Sequence, residues 1–169
     1  MRRSWTGFVA VMPFIGLAAC SGAGSVSASS TVTSHQSAAL AWLNAKAEPW
    51  NSRMNSDQIV IAAATKKMAA RGQGADSSPL LAACLKLSDD AAKASGIPDA
   101  PLSSGLIEVW LPAATSRATY GADCVLYLST GSASDLATWT ASIADMNATT
   151  DRWNVAVAAI RSGKTSIAG

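Results

Sequence analysis

The sequence predicts an all-α fold: an antiparallel up-down bundle of about four long helical arms joined by an interhelical disulfide. Three observations lead there. From Gln36 onward the chain is Ala-rich, and its apolar residues recur three and four positions apart, as on one face of a helix. The connections between these periodic segments are short, which favours antiparallel neighbours. No segment alternates convincingly as a half-buried strand, since the best candidate, Val125 to Ser129, lies inside a helical stripe.

In the first arm, Leu40, Leu43, Ala47, Trp50, Met54, Ile61, Ala64 and Met68 keep one phase, with Asp57 as the polar member. Pro49 falls inside this arm, and a proline there predicts a break or kink near Glu48. The preserved phase predicts that the two pieces still stack as one arm, ending at Gly72. Ser78-Pro79 opens the second arm, with serine as cap and proline at the first helical position, where its missing N–H is not needed. Leu80, Cys84, Leu87 and Ala91 form its inner stripe, and Gly96 and Pro98 stop it.

A third start is predicted near Asp99-Ala100-Pro101. The inner face that follows takes in Leu106, Val109 or Trp110, Ala113, Tyr120, Cys124 and Leu128, with a kink at Pro112. Gly121, one turn before Cys124, allows a neighbouring helix to come close. The last arm is the most regular, with Leu136, Trp139, Ile143, Met146, Thr150, Trp153, Val157 and Ile160 forming an a/d seam. Ser132 or Ser134 caps it and Gly163 ends it.

The segment before these arms has the three parts of an export signal: Arg2 and Arg3, an apolar run from Phe8 to Leu17, and small residues before Cys20. The run is about half of the ~20 apolar residues a membrane-spanning helix needs. Leu17, Ala18, Ala19 and Cys20 follow one another as Leu-small-small-Cys, and here the chain resembles the bacterial lipoprotein precursors. The resemblance implies cleavage after residue 19 and a diacylglycerol thioether on Cys20, with a third acyl chain on its amine as an option. Two or three chains suffice for stable attachment to a bilayer, where one is marginal. An ordinary secretory signal cut near Ala19 or Ala23, or an uncleaved anchor, is the alternative.

The domains expected are therefore a signal at 1–19, a lipidated cysteine with a flexible tether at 20–34, and one helical domain at 35–169. The tether, rich in Gly, Ser and Thr, has an r.m.s. reach of roughly 20 Å. Lipobox, Ala-rich helices and one disulfide together resemble the small lipoproteins of high-GC Gram-positive bacteria, a likeness of layout that implies no activity.

Arg2 and Arg3 account for two of the thirteen basic residues, so the part after the signal has eleven basic and eleven acidic side chains. That balance offers no electrostatic footprint for nucleic acid. With Cys20 assigned to lipid, Cys84 and Cys124 are left to pair in an oxidising compartment, or to stay as buried thiols. A bond closing a loop of about 40 residues contributes ~4 kcal/mol in the chain-entropy picture.

The one histidine, His35, stands beside the tether, so the helical part has no Ser-His-Asp or Cys-His set and no histidine pair for a metal. No cofactor and no catalytic residue is expected. Gly163-Lys164-Thr165 lacks the earlier glycine of a phosphate loop and follows a helix where it should precede one. Asn147-Ala148-Thr149 matches a glycosylation sequon in mid-helix, a placement that favours chance.

Two sets of residues have a sharper reading. Asp57 and Arg117 lie on or beside apolar stripes of different arms; either they form an interhelical ion pair or both reach solvent at the stripe's edge. Trp42 and Trp110 lie just off their stripes and are candidates for a ligand or partner face, the alternative being peripheral core.

The function expected is a membrane-anchored extracytoplasmic binding or interaction module of the cell envelope. Its partners would be the bilayer through acylated Cys20, and an envelope protein or a small apolar or glycan ligand. The alternatives are a structural spacer, or a hydrolase working with Asp57, Asp89, Asp90 or Glu108, which requires two of these carboxylates to converge in a cleft.

Overall fold

Helices alone build the described part of the chain. The computed structural model describes residues 34–72, 75–101 and 104–164, and no strand occurs among them. The lipobox Leu17-Ala18-Ala19-Cys20 and the tether as far as residue 33 lie outside the described residues. The elements are α1 (Ser34–Trp42), a π turn (Leu43–Ala47), α2 (Glu48–Arg71), α3 (Ser78–Ser95), α4 (Leu106–Thr130) and α5 (Ala133–Arg161).

Contacts between α2, α3, α4 and α5 run in opposite order along each neighbouring pair. Cys84 bonds to Cys124 while the Trp110 indole donates to Ala94 O, so α3 and α4 are antiparallel. Ser116 meets Thr149 while Tyr127 stacks on Trp139, which sets α4 against α5 in the same way. Gln58 reaches Met146 and Glu48 reaches Arg161, closing α5 back on α2. The result is the expected all-α bundle with its interhelical disulfide.

The first arm passes Pro49 without stopping, by a device the spacing does not reveal. Proline lacks an N–H and its ring crowds the carbonyl four residues back. Just ahead of it, Leu43–Ala47 widen into a π turn, where the Glu48 N–H bonds to Leu43 O, five residues back. One extra residue in the turn rotates α1 by about 100° relative to α2. The inner face of α1 is therefore Gln36, Ala39 and Trp42, where the extrapolated stripe had Leu40. Gln36 donates to Ile160 O and Trp42 to Pro98 O, so α1 covers the end of the bundle where α3 finishes and α4 begins.

Two predicted boundaries move. The cap of α3 lies earlier than Ser78: the Ser78 N–H is held by Asp76 Oδ1, with Ser77 at the N-cap position. The third long helix starts at Leu106, after Gly105, and not at Asp99-Ala100-Pro101. It then continues through Pro112 to Thr130 without interruption. Gly131 ends it in the left-handed region (φ 63°), its N–H bonding to Tyr127 O. Ser132 then caps α5, its hydroxyl accepting from the Asp135 N–H.

The inner face of α4 reads Leu106, Trp110, Ala113, Arg117, Tyr120, Cys124 and Tyr127, an a/d series that carries Trp110 and Arg117 inward. Gly121 stands where α4 comes close to α3. A Cβ there would sit 2.8 Å from both Cys84 O and Ser88 N.

Candidate functional site

The polar groups drawn into this bundle are the first places where chemistry could reside. Asp57 is 4% exposed and faces α3, where Lys86 Nζ donates to its Oδ1 at 2.8 Å and to Asp90 Oδ2 at 2.7 Å. Asp57 Oδ2 has no hydrogen-bond partner. Burial raises the Asp57 pKa against the opposing pull of Lys86, whereas the Lys86 bond lowers that of Asp90. The Asp57 bond in turn raises the Lys86 pKa. Two of the four carboxylates considered for hydrolysis thus converge, with the Lys86 ammonium bonded to both. Asp89 pairs with Lys93 on an exposed face and Glu108 is exposed, so neither joins them.

Arg117 does not pair with Asp57, and neither group is left at a stripe's edge in solvent. Arg117 is fully buried, and its guanidinium donates to Ala113 O (3.1 Å), Asn55 Oδ1 (3.2 Å) and Asn51 Oδ1 (3.4 Å). Asn51 lies about 120° around α2 from Asp57, which puts the two groups against different neighbours of that helix. Among the described residues no carboxylate pairs with Arg117, and its Nε has no acceptor. Burial lowers its pKa to about 10. These clusters tie α2 to α3 through Lys86 and to α4 through Arg117.

Trp42 and Trp110 are core and do not form a ligand face. Trp110 is fully buried and Trp42 is 7% exposed. Trp110 lies edge-on to both Trp42 (6.2 Å between ring centres) and Trp153 (4.8 Å), joining α1, α4 and α5 beneath the cover that α1 provides. Both indole N–H groups are used, on Pro98 O and Ala94 O. Trp50, expected in the core, is only half-buried, with Arg53 over its ring at 4.9 Å.

Open apolar space lies elsewhere, toward the α2–α3 turn and the opposite end of the bundle from α1. A groove of about 370 Å³ runs along the second half of α2 against the start of α3. Ile59, Val60, Ala63 and Met68 line it from α2, and Pro79 and Leu80 from α3. Leu80 is 1% exposed and so forms part of the floor, whereas Ile59 (70% exposed) and Val60 (50%) stand open on the rim. Lys67, Arg71 and Asp76 supply the groove's charged lining, and Asp76 feels the Arg71 charge. The Ser78 hydroxyl and amide hydrogen-bond to Asp76 and lower its pKa, keeping it anionic.

Comparison of the chain with protein-family models, with curated proteins and with solved structures finds no match. The groove, its geometry and its charges are therefore the material from which a function can be argued. The sequence does hold a signal for it. Ile59-Val60-Ile61 followed by three alanines is apolar all round a helix, so part of that run must face outward or find a partner.

Proposed function

We propose that this chain is an extracytoplasmic lipoprotein, held to the membrane by acylated Cys20, whose bundle works as a non-catalytic binding module of the cell envelope. The groove on α2 carries the reading. The buried core holds tryptophan, leucine and a disulfide, and on α2 branched side chains line an open trough that includes charged groups. A mainly apolar concavity with a few placed polar groups is the usual form of a ligand or partner site. Ile59 and Val60 are adjacent and exposed, so together they make a patch where a single exposed residue would carry no message. The Leu-small-small-Cys ending of the N-terminal segment supports the anchor.

The test has two arms. Cys20→Ser should move the protein from the membrane fraction to the soluble envelope fraction; if it stays bound with its signal removed, the lipid anchor is wrong. A photo-crosslinking side chain placed at Val60 should trap a discrete adduct in cells, whereas the same group at exposed Asn154 on α5 should not. Equal labelling at both positions, or none at Val60, would remove the groove as the binding site.

A further inference from the structure

We infer that the groove takes a single-chain amphiphile with an anionic head, a long-chain carboxylate, with its chain along α2 and its head between Lys67 and Arg71. This rests on the reading of the groove as the binding site and names what that site accepts. Ile59, Val60, Met68 and Leu80 give the trough walls and floor that match an alkyl chain. Met68, flexible and polarisable, can settle against a chain of no fixed shape. The volume, about 370 Å³, falls near the bottom of the roughly 300–1,000 Å³ range of small-molecule sites, which suits one chain better than the two of a phospholipid.

The charge at the groove's end selects the head. Lys67 and Arg71 stand one helical turn apart on the lining face of α2. Neither has a carboxylate within ion-pair distance among the described residues. Asp76, which feels the Arg71 charge, offsets one of the two cations, which leaves a net single positive charge in the lining. A carboxylate head completes that set, and a bidentate contact with the Arg71 guanidinium is the geometry it favours. A neutral head leaves that net positive charge uncompensated beside a buried chain, and a cationic head adds to it.

The experiment titrates the full chain carrying Cys20→Ser, which has no acyl chain of its own, with dansyl-labelled undecanoic acid followed by fluorescence. Saturable binding is expected, with displacement by dodecanoate at least about tenfold more effective than by dodecanol. Reversing both cations (Lys67→Glu with Arg71→Glu) should weaken the carboxylate about five- to thirtyfold, the range for two exposed charge contacts of up to ~1 kcal/mol each. Val60→Asp should abolish binding, and unchanged circular dichroism should show that the exposed position leaves the fold intact.

Equal displacement by dodecanoate and dodecanol would overturn the head-group assignment. Charge-dependent binding to phosphatidylglycerol vesicles that dodecanoate cannot displace would overturn it in favour of a bilayer surface. Absence of probe binding alongside a Val60 adduct to a protein in cells would overturn the amphiphile while sparing the wider reading of the groove; absence of both would remove the two together.

Discussion

Arg117 shows at a single residue how this bundle treats polarity. Its guanidinium is wholly enclosed and meets carbonyl and amide oxygens, but no carboxylate. A buried cation that lacks a counter-charge bears its desolvation without the compensating attraction. Arg117→Met, close in volume, should therefore leave stability unchanged or raise it by about 1–2 kcal/mol in urea unfolding. Asn51→Leu, which removes an acceptor and keeps the charge, should lower it by about 1–3 kcal/mol.

Alkaline pH offers a second residue-scale check, because the chain has two tyrosines, both on α4. Burial raises Tyr120 to about 12 and raises Tyr127 as well. A raised phenol pKa contributes stability that is present below the unfolded value of about 10 and lost as pH climbs through the folded one. Arg117 has the opposite sign: its lowered pKa means the folded state holds fewer protons above about 10, so its share of stability rises there. The two trends oppose each other in an unfolding curve. Ultraviolet titration of the phenols separates them, and it should show no tyrosine ionising with a midpoint at 10 while the protein is folded. A full titration at that midpoint would mean that α4 is not packed as described.

At the scale of the helices, α3 comes close to α4 at Gly121. Gly121→Ala would gain up to about 1 kcal/mol of helix propensity in an open helix. Here the new methyl group meets the backbone of Cys84 and Ser88, which cannot swing aside as a side-chain tip could. The packing cost should win, for a net loss of about 1–3 kcal/mol by thermal unfolding. Helix existence, the disulfide partners and the closeness at Gly121 were all legible from spacing and residue type. Trp42 was not, because a π turn hides in a sequence: nothing in Leu43–Ala47 announces the extra residue that rotates α1. Trp110 and Arg117 escaped for a different reason. The α4 stripe admits either Val109 or Trp110, and the heptad through Trp110 is the one that carries both residues inward. Asp57 was placed on its stripe correctly, but one sequence cannot say which neighbour that side of α2 will meet, and the neighbour is Lys86 on α3.

Over the whole molecule, one end is sealed and the other offers a trough. The cover α1 provides sets Trp42 against Trp110, which in turn meets Trp153, where α3 and α5 end and α4 begins. The groove lies toward the α2–α3 turn. Its apolar run was visible in the sequence as Ile59-Val60-Ile61, but its flanking by Lys67, Arg71 and Asp76 depends on how α3 meets α2. The Cys84–Cys124 bond holds the middle, closing a loop of 40 residues. Cys84→Ala with Cys124→Ala should cost about 2–4 kcal/mol in urea and leave the helical circular dichroism signal in place, because the four long helices still bury their stripes.

Native mass spectrometry of the protein extracted gently from its own membranes bears on both the anchor and the binding role. If the chain is an anchored binding module, it should begin at Cys20, carry two or three acyl chains, weigh two hydrogens less than its reduced form and hold a further non-covalent mass. A soluble, unacylated chain that begins elsewhere and carries nothing would contradict it.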